Sequence, residues 1–158
     1  MSTILSRRRQ MMMQQGGGGT VVEESVTWSG SGSDKTASPI IDATSSDVYF
    51  MLPFVSGDTR LVSGVTEDSN YAGVQTYLYS DEDATELVGY YFFDTDTIST
   101  TSRTWVNCPS AKFDQRFKIA PRGYYAKLAI SRRSGVFTSN SAVTKYLNDY
   151  GSKVELVS

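Results

Sequence analysis

The chain has 158 residues, enough for one domain with a hydrophobic core, and 39% of them are hydrophobic while 20% are charged. It contains no histidine and one cysteine, Cys108, which excludes histidine-dependent triads, most zinc sites and an intramolecular disulfide framework. Residues 1–20 hold three arginines and no acid, which leaves 12 basic and 17 acidic residues, a net charge of −5, in the rest. This acidic body lacks the broad basic face that binding to nucleic acid requires.

The N-terminal segment, residues 1–19, combines apolar and basic residues with a run of glycines at 16–19 that predicts a flexible joint. Its apolar run is too short for a signal peptide, and no stretch of the chain reaches the roughly 20 apolar residues of a membrane helix. We interpret the segment as a docking tail whose apolar side chains fill pockets of a partner while its arginines pair with carboxylates. The predicted docking residues are Ile4, Leu5, Arg7, Arg8, Arg9, Met11, Met12 and Met13.

Residues 20–39 predict a short strand at 21–28 followed by a flexible linker of serines and glycines. Val22, Val26 and Trp28 fall on one face of this strand. Because the strand lies outside the predicted main domain, it is placed to pair elsewhere, for example with a neighbouring copy of the chain.

Residues 40–158 predict a β domain, because short runs of alternating apolar and polar residues are separated by turn residues. Within the run at 124–131, the even-numbered side chains from Tyr124 to Ile130 are predicted to face inward, and the apolar run at 86–93 is typical of a strand buried on both faces. The predicted strands cover residues 47–52, 60–65, 74–79, 86–93, 103–108, 115–120, 124–131 and 153–157.

One segment of this domain has helical spacing instead. Apolar residues recur at i, i+3, i+4 and i+7 in 139–150, with Ser139 or Asn140 as the N-cap and Gly151 as the stop. The sequence therefore predicts a mainly β fold: an antiparallel β-sandwich or jelly roll with one short C-terminal helix and an extended N-terminal tail.

Aromatic residues make up 12% of the chain, with ten tyrosines among them. Tyr77 and Tyr79 share the strand face opposite the aliphatic side chains, and Trp105 lies in the middle of the predicted strand at 103–108. Aromatic faces on a β-sandwich bury against another subunit or stack on sugar rings. Trp28, Tyr77, Tyr79 and Trp105 are therefore predicted to form an interface with a second subunit or with a glycan.

Two acidic turns, at residues 81–83 and 94–96, could bind calcium through clustered carboxylates, although neither has the spacing of an EF-hand loop. Calcium binding at these turns stays open. Two carboxylates facing across a cleft would support glycoside hydrolysis, but such facing cannot be seen in a linear sequence. We predict no catalytic residues, no metal site and no cofactor.

The order of the parts, a basic Met/Arg tail, a glycine joint and a small β domain rich in Ser, Thr and Tyr, resembles accessory virion proteins of tailed bacteriophages. In the tail the likeness is carried by Arg-Arg-Arg-Gln-Met-Met-Met at 7–13 and the glycines after it. In the domain, residues 117–133, with their Ala-Pro-Arg-Gly-Tyr-Tyr turn, look like the closing part of a virion jelly roll. The plan is similar to that of head fibres and capsid-decoration proteins of crAss-like phages.

This resemblance implies a homotrimer on the virion, anchored to the capsid or another virion protein by its tail and displaying the β domain outward. We therefore expect a structural virion protein, assembled in the cytoplasm of a bacterial host, that is not an enzyme and binds neither nucleic acid nor membrane. The alternative is a carbohydrate- or receptor-binding module of the tail-adhesin type that uses its aromatic surface to hold a host-surface glycan. A small hydrolase with two converging carboxylates is the third possibility.

Overall fold

The computed structural model describes residues 9–14, 19–30, 35–66, 72–108, 115–132 and 135–158. Strands and one helix follow one another along this part of the chain. They are β1 (Arg9–Gln14), β2 (Thr20–Ser25), β3 (Thr36–Ala37), β4 (Ile41–Ala43), β5 (Asp47–Met51), β6 (Ala72–Tyr79), β7 (Leu87–Phe92), β8 (Thr97–Ser99), β9 (Val106–Asn107), β10 (Arg116–Ala120), β11 (Tyr124–Arg132), α1 (Asn140–Tyr150) and β12 (Lys153–Val157).

The strands form two antiparallel sheets in a sandwich-like arrangement, which confirms the predicted mainly β class with one short C-terminal helix. Sheet A has the order β1-β2-β12-β5-β10. Sheet B has the order β3-β11-β6-β7-β8, and in addition β4 pairs with β11 and β9 pairs with β6.

The core lies between the two sheets and is built from the alternate residues that each strand turns inward. In sheet B, Leu128 lies opposite Thr76 on β6, and Ile130 lies opposite Val74; all four side chains are buried. The predicted inward face of β11 is therefore confirmed. In sheet A, Phe50 points into the core and packs against residues of β10 and the segment after β2.

The C-terminal helix begins and ends where the capping pattern predicts. The Ser139 side chain accepts a hydrogen bond from the Ala142 amide, and the Gly151 amide donates to the Leu147 carbonyl. Among the predicted apolar positions, Tyr146 and Leu147 are buried. The Tyr146 hydroxyl donates to the Pro53 carbonyl at 2.9 Å, so the helix is fastened to the loop that follows β5.

Three of the predicted strands differ in the structure. Residues 60–65 form turns, because the Leu61 amide bonds to the Asp58 carbonyl and Gly64 adopts a positive φ of 86°. Only Val106–Asn107 of the segment 103–108 is a strand. The run 86–93 is not buried on both faces, since Leu87 and Val88 are exposed at the start of β7.

The N-terminal part of the chain is more closely joined to the domain than its composition predicts. β1 pairs with β2, and β2 pairs with β12 of the same chain, so the strand predicted to pair elsewhere is an internal strand of sheet A. β3, from the predicted linker, pairs with β11 in sheet B. β12 and β11, the partners of β2 and β3, lie more than 90 residues further along the chain, and local composition does not reveal them.

The predicted docking tail is thus divided. Ile4, Leu5, Arg7 and Arg8 lie outside the described residues. Arg9, Met11, Met12 and Met13 belong to β1, whose backbone adds a strand to the edge of sheet A. Residues 9–14 are thus extended, as predicted, and pair with β2 of the same chain, while docking of the tail on a partner stays a prediction.

Candidate functional site

Trp28, one of the four predicted interface aromatics, is a core residue. Its side chain is 2% exposed, its ring packs against Phe50 with centroids 5.5 Å apart, and its indole N–H donates to the Gly151 carbonyl at 2.9 Å. The Asn148 side chain also bonds to both backbone groups of Trp28. The prediction that Trp28 forms an interface with a second subunit or a glycan is therefore wrong, because its side chain is buried within its own domain.

Tyr77 and Tyr79 lie together on the outer face of sheet B, as their alternation predicts. Tyr77 is opposite Tyr90 on β7 and Lys127 on β11, while Tyr79 is opposite Tyr125. Facing residues of antiparallel strands share one side of the sheet, so these five side chains form one surface. We name it the tyrosine face: Tyr77, Tyr79, Tyr90, Tyr125 and Lys127.

Packing within the tyrosine face is close enough to shift the pKa of Tyr77 and of Tyr79. The rings of Tyr77 and Tyr90 have centroids 5.5 Å apart in an edge-on arrangement. Burial raises the pKa of Tyr77 and of Tyr79, and the neighbouring Tyr90 adds to both effects. The face therefore presents four tyrosine rings with one cation, Lys127, and with the Asp42 carboxylate opposite Tyr125.

Residues 103–105 border the tyrosine face at one end. The Arg103 guanidinium lies 4.1 Å from the Phe92 ring and pairs with Asp94, while the Arg103 carbonyl accepts a hydrogen bond from the Gln75 side chain. Trp105 is partly buried, with the Lys35 ammonium 5.1 Å from its ring centroid. Trp105 directly precedes β9, which pairs with β6, and its role at an interface stays a prediction.

Exposed aliphatic side chains border the tyrosine face on its β7–β8 side. Leu87 lies opposite Tyr79 and is 46% exposed, next to Val88 at 41%. Ile98, on the edge strand β8, is 44% exposed but lies opposite the buried Tyr91, so it belongs to the other side of sheet B. Apolar side chains next to a row of tyrosines are typical of surfaces that contact another protein.

A groove of about 500 Å³ lies on the outer face of sheet A, on the opposite side of the sandwich. Sequence reasoning missed it, because its side chains come from four strands and the end of the helix and carry no common motif. We name it the sheet A groove; its lining side chains include Glu23, Tyr49, Met51, Arg116, Asp149, Tyr150, Lys153 and Glu155.

Opposite charges are paired along the sheet A groove. Arg116 bonds to the Glu155 carboxylate, and its guanidinium carbon lies 3.9 Å from the centroid of the Tyr49 ring. The Lys153 ammonium is 3.7 Å from a Glu23 carboxylate oxygen. The strand register places Glu155 between Glu23 and Tyr49, so these groups form one row across sheet A.

The two acidic turns are held by hydrogen bonds and ion pairs within the chain. Asp81 accepts hydrogen bonds from the Thr85 side chain and from the Thr85 and Glu86 amides, and these bonds lower its pKa. Asp96 accepts a hydrogen bond from the Tyr91 hydroxyl at 2.7 Å. Within the ranges that the structure describes, no three His, Cys, Asp or Glu side chains are grouped to hold a metal ion.

No protein-family model, curated protein or solved structure matches the chain. The fold and its surfaces therefore define the protein only as a β-sandwich with two candidate interaction surfaces, the tyrosine face and the sheet A groove. No helix within the described ranges is long and apolar enough to span a membrane.

Proposed function

We propose that the chain is a non-catalytic structural protein of a bacteriophage virion, of the head-fibre or capsid-decoration type. In this proposal it assembles as a homotrimer through the tyrosine face. Residues 4–8 of the tail anchor it to the capsid or another virion protein. The β domain is then displayed away from the particle.

The observation that supports this proposal most directly is the tyrosine face. Partly buried tyrosines in cross-strand contact, bordered by exposed Leu87 and Val88, combine rigid aromatic area with two facing charges, Lys127 and Asp42. Tyrosine is enriched and charged residues are depleted at the centres of protein interfaces. The face is spread across three neighbouring strands of a sheet, as expected for a rigid surface that contacts a second subunit rather than a small ligand.

Sedimentation equilibrium of the full chain tests the assembly step. We expect the wild-type protein to have three times the 17.4 kDa mass of one chain. The double variant Tyr77→Lys/Tyr79→Lys should sediment as a monomer, because it places two more cations beside Lys127 and removes aromatic area. Met51→Lys, at an exposed apolar residue on the opposite sheet, is the matched control and should keep the wild-type mass.

Leu87→Lys provides a second test that does not depend on replacing partly buried rings, since Leu87 is 46% exposed. It should weaken assembly while the far-ultraviolet circular dichroism stays unchanged. A monomeric wild-type protein at micromolar concentration, or a folded Leu87→Lys variant that assembles as strongly as wild type, would contradict assembly through this face.

A further inference from the structure

We propose that the sheet A groove is a binding site for a neutral saccharide. The groove lies on the opposite side of the sandwich from the tyrosine face and does not depend on the proposed assembly. Its volume of about 500 Å³ falls within the range of small-molecule sites. Its side chains offer both apolar area and paired charges, which is the combination that a sugar ring requires.

Apolar area for the carbon–hydrogen face of a sugar comes from three side chains. Met51 is 43% exposed and Tyr150 is 36% exposed at the groove. Tyr49 lies opposite Glu155 in the row of strands, and the Arg116 guanidinium covers one side of its ring. Tyrosine combines an apolar ring with a polar hydroxyl, so it can contact both the carbon–hydrogen face and the hydroxyls of a sugar.

The charged side chains of the groove favour a neutral ligand over an ionic one. Arg116 pairs with Glu155, and Lys153 with Glu23, so an anion or a cation would have to compete with an ion pair that already exists. A guanidinium has five N–H donors and a carboxylate has about four acceptor positions, so pairs of this kind retain unused hydrogen-bonding capacity. Neighbouring sugar hydroxyls, which both donate and accept, can use that capacity without separating the charges.

The helix supplies the end of the groove through Asp149 and Tyr150. Both are held by a network outside the groove: Arg60 pairs with Asp149, and the Tyr150 hydroxyl donates to Asp58 at 2.9 Å. The Arg60 guanidinium also lies 5.2 Å from the Tyr150 ring centroid. The groove wall is therefore positioned before any ligand arrives, which reduces the ordering cost of binding.

Saturation-transfer difference NMR and calorimetry on the full chain test the proposal. The probes are maltotriose, cellotriose and mannotriose, which are neutral, and trigalacturonic acid, which is anionic. We expect at least one neutral trisaccharide to bind with a Kd of about 1 mM or tighter. Arg116→Gln should weaken that binding at least tenfold, because it removes the guanidinium that bridges Glu155 and Tyr49.

Arg122→Gln is the matched control, since Arg122 is also an exposed arginine paired with one carboxylate, that of Asp47, but does not line the groove. It should bind the sugar as wild type does. Tyr49→Ala should also lose binding, because it removes the ring that the Arg116 guanidinium covers. The proposal is overturned if no neutral trisaccharide binds the wild type, if trigalacturonic acid binds more tightly than all three, or if Arg116→Gln binds like wild type.

Discussion

Arg60 illustrates how much of this structure depends on single polar side chains near the core. It pairs with Asp58 at 2.6 Å and with Asp149, and its guanidinium lies 5.5 Å from the Tyr146 ring centroid. The hydrogen bond from Arg60 holds the pKa of Asp58 well below its usual range, and Asp58 in turn raises the pKa of Arg60. Burial raises the pKa of Tyr146 to about 12. The turn at 58–60 is thus fastened to the helix.

Replacing Asp58 tests this network through the pH dependence of stability. A carboxyl whose folded pKa is depressed stabilises the native state above its unfolded pKa of about 3.9, and this contribution is lost as the pH falls. We expect the wild-type free energy of unfolding to fall between about pH 5 and pH 2. Asp58→Asn should lose about 1–3 kcal/mol at pH 7 and show a weaker dependence on pH. Urea denaturation at a series of pH values measures both effects.

Asp83→Asn is the control for this experiment, because Asp83 is an exposed residue of an acidic turn. Its stability should follow the wild-type curve at every pH. A variant at Asp58 that unfolds at the wild-type urea concentration at pH 7 would show that the ion pair with Arg60 adds nothing to stability.

At the scale of elements, the helix cap is the clearest case of local chemistry deciding a boundary. Ser139→Ala removes the side chain that accepts from the Ala142 amide at 3.0 Å. It should lower the free energy of unfolding by about 1 kcal/mol, as a lost N-cap does. Ser141→Ala, within the first turn of the same helix, is the matched control and should change the urea midpoint little. Equal midpoints for the two variants would exclude a role for Ser139 as the cap.

The strands show how far alternation alone predicts an element. The predicted bounds of β11 and β12 agree with the structure to within one residue. In both strands, buried side chains alternate with more exposed ones, which is the pattern of a strand with one face on the core. Residues 60–65 have a similar composition but form turns, because the bond between the Leu61 amide and the Asp58 carbonyl closes locally. The Asp58 side chain also accepts a hydrogen bond from the Arg60 amide, and local bonds of this kind compete with strand pairing in a way that apolar content does not show.

At the scale of the whole molecule, β1 links the tail to the domain, and truncation separates two roles of the tail. A form lacking residues 1–8 keeps β1 and should unfold at the wild-type urea concentration. In a form lacking residues 1–14, β2 becomes the edge strand of sheet A. Val21 of β2, which pairs with β1 and is 5% exposed in the full chain, then loses its neighbouring strand. This form should lose about 1–2 kcal/mol, because the apolar surface next to β1 becomes accessible to water.

The same two truncated forms test the proposed anchor by co-sedimentation with purified virions. If residues 4–8 form the anchor, the folded form lacking residues 1–8 should stay in the supernatant while the full chain pellets. Pelleting of both proteins to the same extent would contradict anchoring by these residues. The role of the tail would then be limited to the pairing of β1 with β2 in sheet A.

Local sequence accounts for the mainly β class, the inward face of β11, the helix with its caps, and the shared face of Tyr77 and Tyr79. Each of these follows from neighbours within a few residues, through the periods of 2 and 3.6 or a local hydrogen bond. Tertiary structure alone decided that Trp28 is buried and that β1 and β2 belong to sheet A. It also decided that the sheet A groove exists, because that groove joins Glu23 to residues more than 100 positions away, and only strand pairing brings such distant side chains together.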